Sequence, residues 1–211
     1  MKFGFGQWLL AVGMALVLAG SYLTWRSLGA GPVPAGDLPS VTEIRDDAPL
    51  PAFLLNGPKG PFDNAKLAGH WSFLFFGYTQ CPDICPTALT LMKEVKAALL
   101  TQAAGSPAPT FQVVFISVDP RRDTSGLLAD YIGAFDPSFV GVSGDDAALA
   151  PLAKKLGVYY QRNDGADTTH YTVDHSAAIY LVDPLGRLAA VFPPPQVASK
   201  LVADYLRIVL H

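Results

Sequence analysis

The chain has 211 residues, half of them hydrophobic and 16% charged, with a formal net charge of −3 and two cysteines. That length and apolar content suffice for one domain with a full core plus an additional segment. The mildly negative balance, without any block of lysines or arginines, argues against nucleic acid as a partner.

The additional segment is at the front. No charged residue falls between Lys2 and Arg26, and Trp8 to Leu18 is almost unbroken apolar sequence. Phe3, Phe5 and Trp8 flank one end and Tyr22 and Trp25 the other, as aromatic belts do at membrane interfaces. A bilayer core needs a span of roughly 20 residues, so residues 1–28 are expected to form one transmembrane anchor, inserted through residues 3–25. The alternative is a signal peptide cleaved near Leu28-Gly29-Ala30. Either reading exports the rest of the chain. Lys2 and the terminal amine against Arg26 alone bias the N-terminus towards the inside. Residues 29–49, with Pro32, Pro34, Pro39 and Pro49, read as an extended linker.

The globular part is expected over residues 50–211. Phe53 to Asn56 reads as a strand ended by the turn Gly57-Pro58-Lys59-Gly60, which predicts a hairpin. Trp71 to Tyr78 is a charge-free strand of the kind covered on both faces. It leads into Gln80-Cys81-Pro82-Asp83-Ile84-Cys85-Pro86, after which Ile84, Ala88, Leu91, Met92, Val95 and Leu99 recur at helical spacing. Residues 103–110, with Gly105, Pro107 and Pro109, stop that helix. Phe111 to Val118 is a second buried strand, followed by Asp119-Pro120-Arg121-Arg122-Asp123-Thr124 and a helix to about Phe135. A short strand at Phe139 to Val142 and a helix at Asp145 to Leu156 come next. Val158 to Gln161 predicts a strand entering the polar loop Arg162 to Thr169. Ala177 to Val182 and Arg187 to Phe192 flank the hairpin turn Asp183-Pro184-Leu185-Gly186, and Val197, Leu201, Tyr205 and Val209 mark a last amphipathic helix. This order describes an α/β thioredoxin-like domain, a mixed central sheet flanked by helices.

Cys81 and Cys85 stand one helical turn apart where a strand turns into a helix. Two thiols there can exchange a disulfide or hold a soft metal ion. As a structural bridge the pair contributes little, because the loop it closes is so short. Two sulfurs leave a metal under-coordinated, so a third ligand must come from elsewhere. His70 and His211 read as solvated surface residues. His170 and His175 flank Tyr171-Thr172-Val173-Asp174, just before a strand that in a thioredoxin-like sheet borders the cysteine turn, which lets His175 face the sulfurs. Asp119 and Asp123 carry two readings, tuning of the site or contact with a partner, and ordinary turn formation and N-capping. Asp83 reads as a helix cap and Asp174 as a solvated side chain.

Three ordered motifs carry a family resemblance. Gly77-Tyr78-Thr79-x-Cys81-Pro82-Asp83-x-Cys85-Pro86, Ser117-Val118-Asp119-Pro120-x-Arg122-Asp123-Thr124, and Tyr171-x-Val173-Asp174-His175-Ser176 with Tyr180-Leu181-Val182-Asp183-Pro184-x-Gly186 resemble the Sco/SenC family from about Phe53 to Leu210. The resemblance implies a metallochaperone rather than an enzyme, a copper protein that helps assemble the dinuclear centre of cytochrome c oxidase subunit two. By position its ligands for Cu(I) or Cu(II) fall on Cys81, Cys85 and His175; His170 has no counterpart. It implies a bacterial-type inner membrane location, single pass, with the globular domain on the periplasmic side. Two other readings stay open: a thiol–disulfide oxidoreductase that reduces the cysteines of a copper-accepting partner, with Cys81 and Cys85 forming a disulfide when oxidised, and a peroxiredoxin-like peroxidase, for which His175 has no use.

Overall fold

The computed structural model describes residues 5–27, 40–44, 46–102, 111–164 and 171–210. Lys2, Phe3, His170, His211, the helix stop at 103–110 and linker residues 29–39 lie outside the described residues. The chain divides into two units, Met1–Pro39 and Ser40–His211.

In the first unit helix α1 spans Phe5–Ser27, 23 residues. Side chains are described for residues 13–24 of it, and Met14, Leu16, Val17, Leu18 and Leu23 are all exposed. No helix among the described residues is long and apolar enough to cross a membrane, so the expected anchor rests on the sequence alone.

The second unit begins with β1 (Thr42–Glu43) and the hairpin β2 (Leu54–Gly57) and β3 (Gly60–Asp63). Then come β4 (Trp71–Gly77), α2 (Ile84–Gln102), β5 (Phe111–Ser117), α3 (Ser125–Gly133), β6 (Val140–Ser143) and α4 (Asp146–Leu156). The remainder is β7 (Tyr160–Asn163), β8 (Thr172–His175), β9 (Ile179–Val182), β10 (Leu188–Phe192) and α5 (Ala198–Leu210). Eight strands form one sheet in the order β1-β10-β9-β4-β5-β6-β2-β3, while β7 and β8 form a separate two-stranded sheet. Within the large sheet β4, β5 and β6 run parallel and β9 runs antiparallel to β4, giving the mixed sheet of a thioredoxin-like fold.

The three central strands are apolar because helices or loops cover both their faces. Phe73, Leu74, Phe75, Phe76, Val114, Phe115, Ile116 and the whole of β9 are buried. Helix ends follow local chemistry: Thr124 and Asp145 cap α3 and α4 by accepting from Leu127 N and Ala148 N, and Gly157, at φ 69°, closes α4 in the left-handed conformation. Helix α5 buries Leu201, Val202 and Tyr205, and the Tyr205 ring lies 5.2 Å from that of Phe73 and 6.2 Å from that of Trp71.

Two boundaries differ from expectation. Part of the anticipated linker is in the sheet: Thr42 pairs with Val191, Ile44 N donates to Ala189 O at 2.8 Å, and Pro49 bridges to Arg187. A two-residue strand carries no periodicity, so only the partner strand reveals it. The strand expected at Val158 to Gln161 instead spans Tyr160–Asn163 and pairs with Thr172–His175 outside the main sheet.

Side chains of β4 alternate between faces, which puts Trp71, Phe73, Phe75 and Gly77 on one side. Tyr205 covers the lower part of that face, and Gly77 lies directly beneath α2. A Cβ built on Gly77 would stand 2.5 Å from Cys85 Sγ and 2.9 Å from the Phe115 ring. Glycine is required here by close approach. Gly77→Ala is expected to cost about 1–3 kcal/mol through overpacking, a fall of roughly 2–12 °C in Tm for a unit of this size. Gly126→Ala in α3, with nothing within 4 Å, should leave Tm unchanged or slightly higher; thermal denaturation of both variants checks the contrast.

Candidate functional site

Cys81 lies in the turn after β4, held by Cys81 N donating to Tyr78 O at 3.2 Å, and Cys85 lies in the first turn of α2. His175 ends β8, far along the chain. The sulfurs of Cys81 and Cys85 and an imidazole nitrogen of His175 nevertheless all fall within 4.8 Å of one another. The structure thus brings together the three residues singled out from the sequence. Both cysteines are free thiols. Cys85 is fully buried at 0% exposure, whereas Cys81, at 9%, lines an open groove of about 560 Å³ with Pro82, Ile84, Tyr159, Asp174 and His175.

The imidazole is held by two rings and a hydrogen bond. Phe75 and Tyr78 meet the His175 ring edge-on at 6.0 and 5.8 Å. Nδ1 lies 3.1 Å from the Ser176 carbonyl oxygen; a carbonyl only accepts, so Nδ1 carries the proton of the neutral ring. Nε2, 3.4 Å from Cys85 Sγ, then offers its lone pair to the sulfurs. Burial holds the His175 pKa below its ordinary value, against hydrogen bonds to the Ser176 and Phe76 carbonyls. That keeps the ring in its ligand form. Burial also pushes the Cys85 thiol well up, and its neighbours Cys81 and Asp123 add to the shift.

The donor set fits a soft ion. Metal–sulfur bonds of roughly 2.3 Å in a trigonal arrangement separate the ligand atoms by about 4 Å, close to the spacing found. Two sulfurs and one imidazole nitrogen suit Cu(I) better than a hard cation.

Buried carboxylates hold the turn that carries the cysteines. Asp123, 2% exposed, accepts from Thr79 N at 3.0 Å, Thr79 Oγ1 at 2.6 Å and Ser117 Oγ at 2.6 Å. Asp119, 3% exposed, accepts from Tyr171 Oη at 2.7 Å and from Arg122 Nε. Of the two aspartates' readings, N-capping is corrected, because Thr124 is the cap of α3; Asp119 does form a turn, its carbonyl accepting from Arg122 N at 3.2 Å and Asp123 N at 3.0 Å, and both carboxylates also tie segments together. Arg122 and Tyr171, not singled out individually from the sequence, belong to the same cluster. The signal for Arg122 was the density of polar residues in Ser117-Val118-Asp119-Pro120-Arg121-Arg122-Asp123-Thr124, directly after a charge-free strand; Tyr171 had only its place in the motif that contains His175. Asp83 contributes its carbonyl, which accepts from Thr87 N at 3.2 Å, and its side chain is exposed, as is that of Asp174.

The sequence model of the family described as SCO1/SenC matches residues 45–210. A SCO2-like protein of Rickettsia prowazekii is 40% identical over 127 residues, 60% of this chain and 60% of that protein, so the match spans about three fifths of that relative's length. The structure of Bradyrhizobium japonicum ScoI with copper bound is 36% identical, with a TM-score of 0.65 over 76% of this chain and 99% of that one. The solution structure of apo Sco1 from Thermus thermophilus is 35% identical, with a TM-score of 0.70 over 82% of this chain and 99% of that one.

Two outcomes follow from the geometry. In the reduced chain at pH 7, iodoacetamide should alkylate Cys81 at least about tenfold faster than Cys85, because thiolate character and access govern the rate; peptide mass spectrometry reads the ratio. Asp123→Ala leaves buried donors unsatisfied, about 1–3 kcal/mol each, and should lower stability while raising amide exchange in the cysteine turn.

Proposed function

Because this chain belongs to the SCO1/SenC family, we propose that it is a membrane-tethered copper chaperone. It holds copper through Cys81, Cys85 and His175 and passes it to the dinuclear copper centre of cytochrome c oxidase subunit two or another copper acceptor. The observation that carries this reading is the convergence of three ligand atoms within 4.8 Å from two distant stretches of chain. Copper here is cargo. Thiolates are soft ligands matched to Cu(I), and three ligands leave room for an incoming donor from the acceptor, whereas a closed four-ligand cage would resist release. Loading displaces the thiol protons, so the cysteines must be reduced beforehand. The bound ion's oxidation state, Cu(I) or Cu(II), follows from the redox state of the compartment.

The domain arrangement proposed is an anchor over residues 1–28, a proline-rich connection, and a copper-binding unit facing the periplasmic side of a bacterial-type inner membrane. In support, the sequence from Phe3 to Trp25 carries no charged residue, close to the roughly 20 residues a bilayer core needs.

One observation favours a second reading, reduction of the acceptor's cysteines. Cys81 at the rim and Cys85 beneath it are arranged as an attacking and a resolving thiol are in disulfide exchange. Anaerobic titration of the reduced chain with Cu(I) against a chromogenic chelator separates the two. We expect one tight equivalent, lost in Cys81→Ala and Cys85→Ala and weakened at least about tenfold in His175→Ala. Tight binding that survives His175→Ala overturns the ligand set, and weak copper binding with rapid turnover of disulfide substrates selects the exchange reading.

A further inference from the structure

We propose that Arg122 is the positioning residue of this centre: its guanidinium sets where His175 stands relative to the two sulfurs. The inference rests on the ligand set proposed above and extends it to a residue that touches no ligand atom. Arg122 lies between the two segments that carry the ligands. Its Nη1 donates to Gln80 Oε1 at 3.1 Å, one residue before Cys81, and to the Tyr171 carbonyl at 3.0 Å, four residues before His175. Nε donates to Asp119, and the other Asp119 oxygen accepts from Tyr171 Oη at 2.7 Å, so three side chains close a ring of contacts. The same guanidinium lies over the Tyr171 ring, its Cζ 3.6 Å from the ring centre and 5.5 Å from that of Tyr78. Tyr78 in turn presses on the edge of His175 at 5.8 Å. One side chain therefore fixes the entry of β8, the cysteine turn and the ring that limits the imidazole.

Lysine cannot substitute in this role. A guanidinium is a planar fork that donates in several directions while stacking, whereas an ammonium is a point charge on a flexible stem. Nη2 of Arg122 is buried without a hydrogen-bond partner among the described residues. The guanidinium is thus held for its shape and its other donors, in a place where charge alone would not suffice. Supporting side chains of this kind typically change metal affinity by about 10- to 100-fold when altered.

The test uses the full-length chain in detergent, reduced and anaerobic. Arg122→Lys is expected to weaken Cu(I) binding about tenfold or more by chelator competition, with Tm close to that of the parent. In a His175→Ala background the same substitution should change affinity little, because the ligand it places is gone. In the metal-free chain, the His175 imidazole signals in nitrogen-15 NMR should shift or broaden in Arg122→Lys, while the Trp71 indole signal stays in place. Tyr171→Phe, which keeps the stacking ring but removes the bond to Asp119, should move the His175 signals in the same direction by less. Equal losses of affinity with and without His175, or imidazole signals that do not move, overturn the proposal. If the parent chain itself fails to bind Cu(I) tightly, the ligand set falls, and the metal-free imidazole signals alone decide the role of Arg122.

Discussion

The cysteine turn hangs on a buried carboxylate. Asp123 takes hydrogen bonds from Thr79 on the turn and from Ser117 at the end of β5, and Gly77 pairs with Ser117 in the parallel register of β4 and β5. The carboxylate therefore fixes the turn at the level where both strands stop. Every later feature of the centre depends on that. Cys85 can enter the core only because the chain leaves β4 at Gly77 without a side chain, and Cys81 stays at the rim only because the turn is held down beside it. An ionised group at 2% exposure is costly to bury unless its lone pairs are used. Here three donors use them.

The same arrangement separates the two sulfurs chemically. Cys85 sits over Gly77 and the Phe115 ring, away from water, and its thiol is accordingly reluctant to ionise. Cys81 lines the groove with Ile84, Tyr159 and His175. A soft ion arriving from the groove meets one sulfur and the imidazole first and the deeper sulfur last. In the copper reading this order gives capture at the rim and retention at depth; in the exchange reading it gives attack and resolution. Geometry of this kind serves both chemistries, which is why the third ligand, rather than the thiols, distinguishes them.

The elements with strong periodicity were legible in the sequence. The charge-free strand ending at Gly77, the helix with Ala88, Met92, Val95 and Leu99 on one side, and the hairpin around Asp183 and Gly186 follow from local patterns, and their order implies the sheet. Cys81, Cys85 and His175 were legible as chemistry because few other side chains offer soft donors. Thr42–Glu43 and the pairing of Tyr160–Asn163 with Thr172–His175 were not, since short strands have no pattern of their own and are defined by partners far away in the chain. For Asp119 and Asp123 the sequence left two readings open, a role at the site and turn formation or capping, for a related reason. A carboxylate after a strand looks the same in sequence whether it caps the next helix or receives donors from forty residues away, and only burial separates the cases.

The ribbon β7–β8 shares no strand with the eight-stranded sheet. His175 belongs to the ribbon, while both cysteines hang from the end of the main sheet. An ion bonded to all three is then a cross-link between two independently hydrogen-bonded sheets, much as a disulfide staples separate elements. In the copper reading, part of its binding energy goes into holding ribbon and sheet in one register, across the span that Arg122 also bridges.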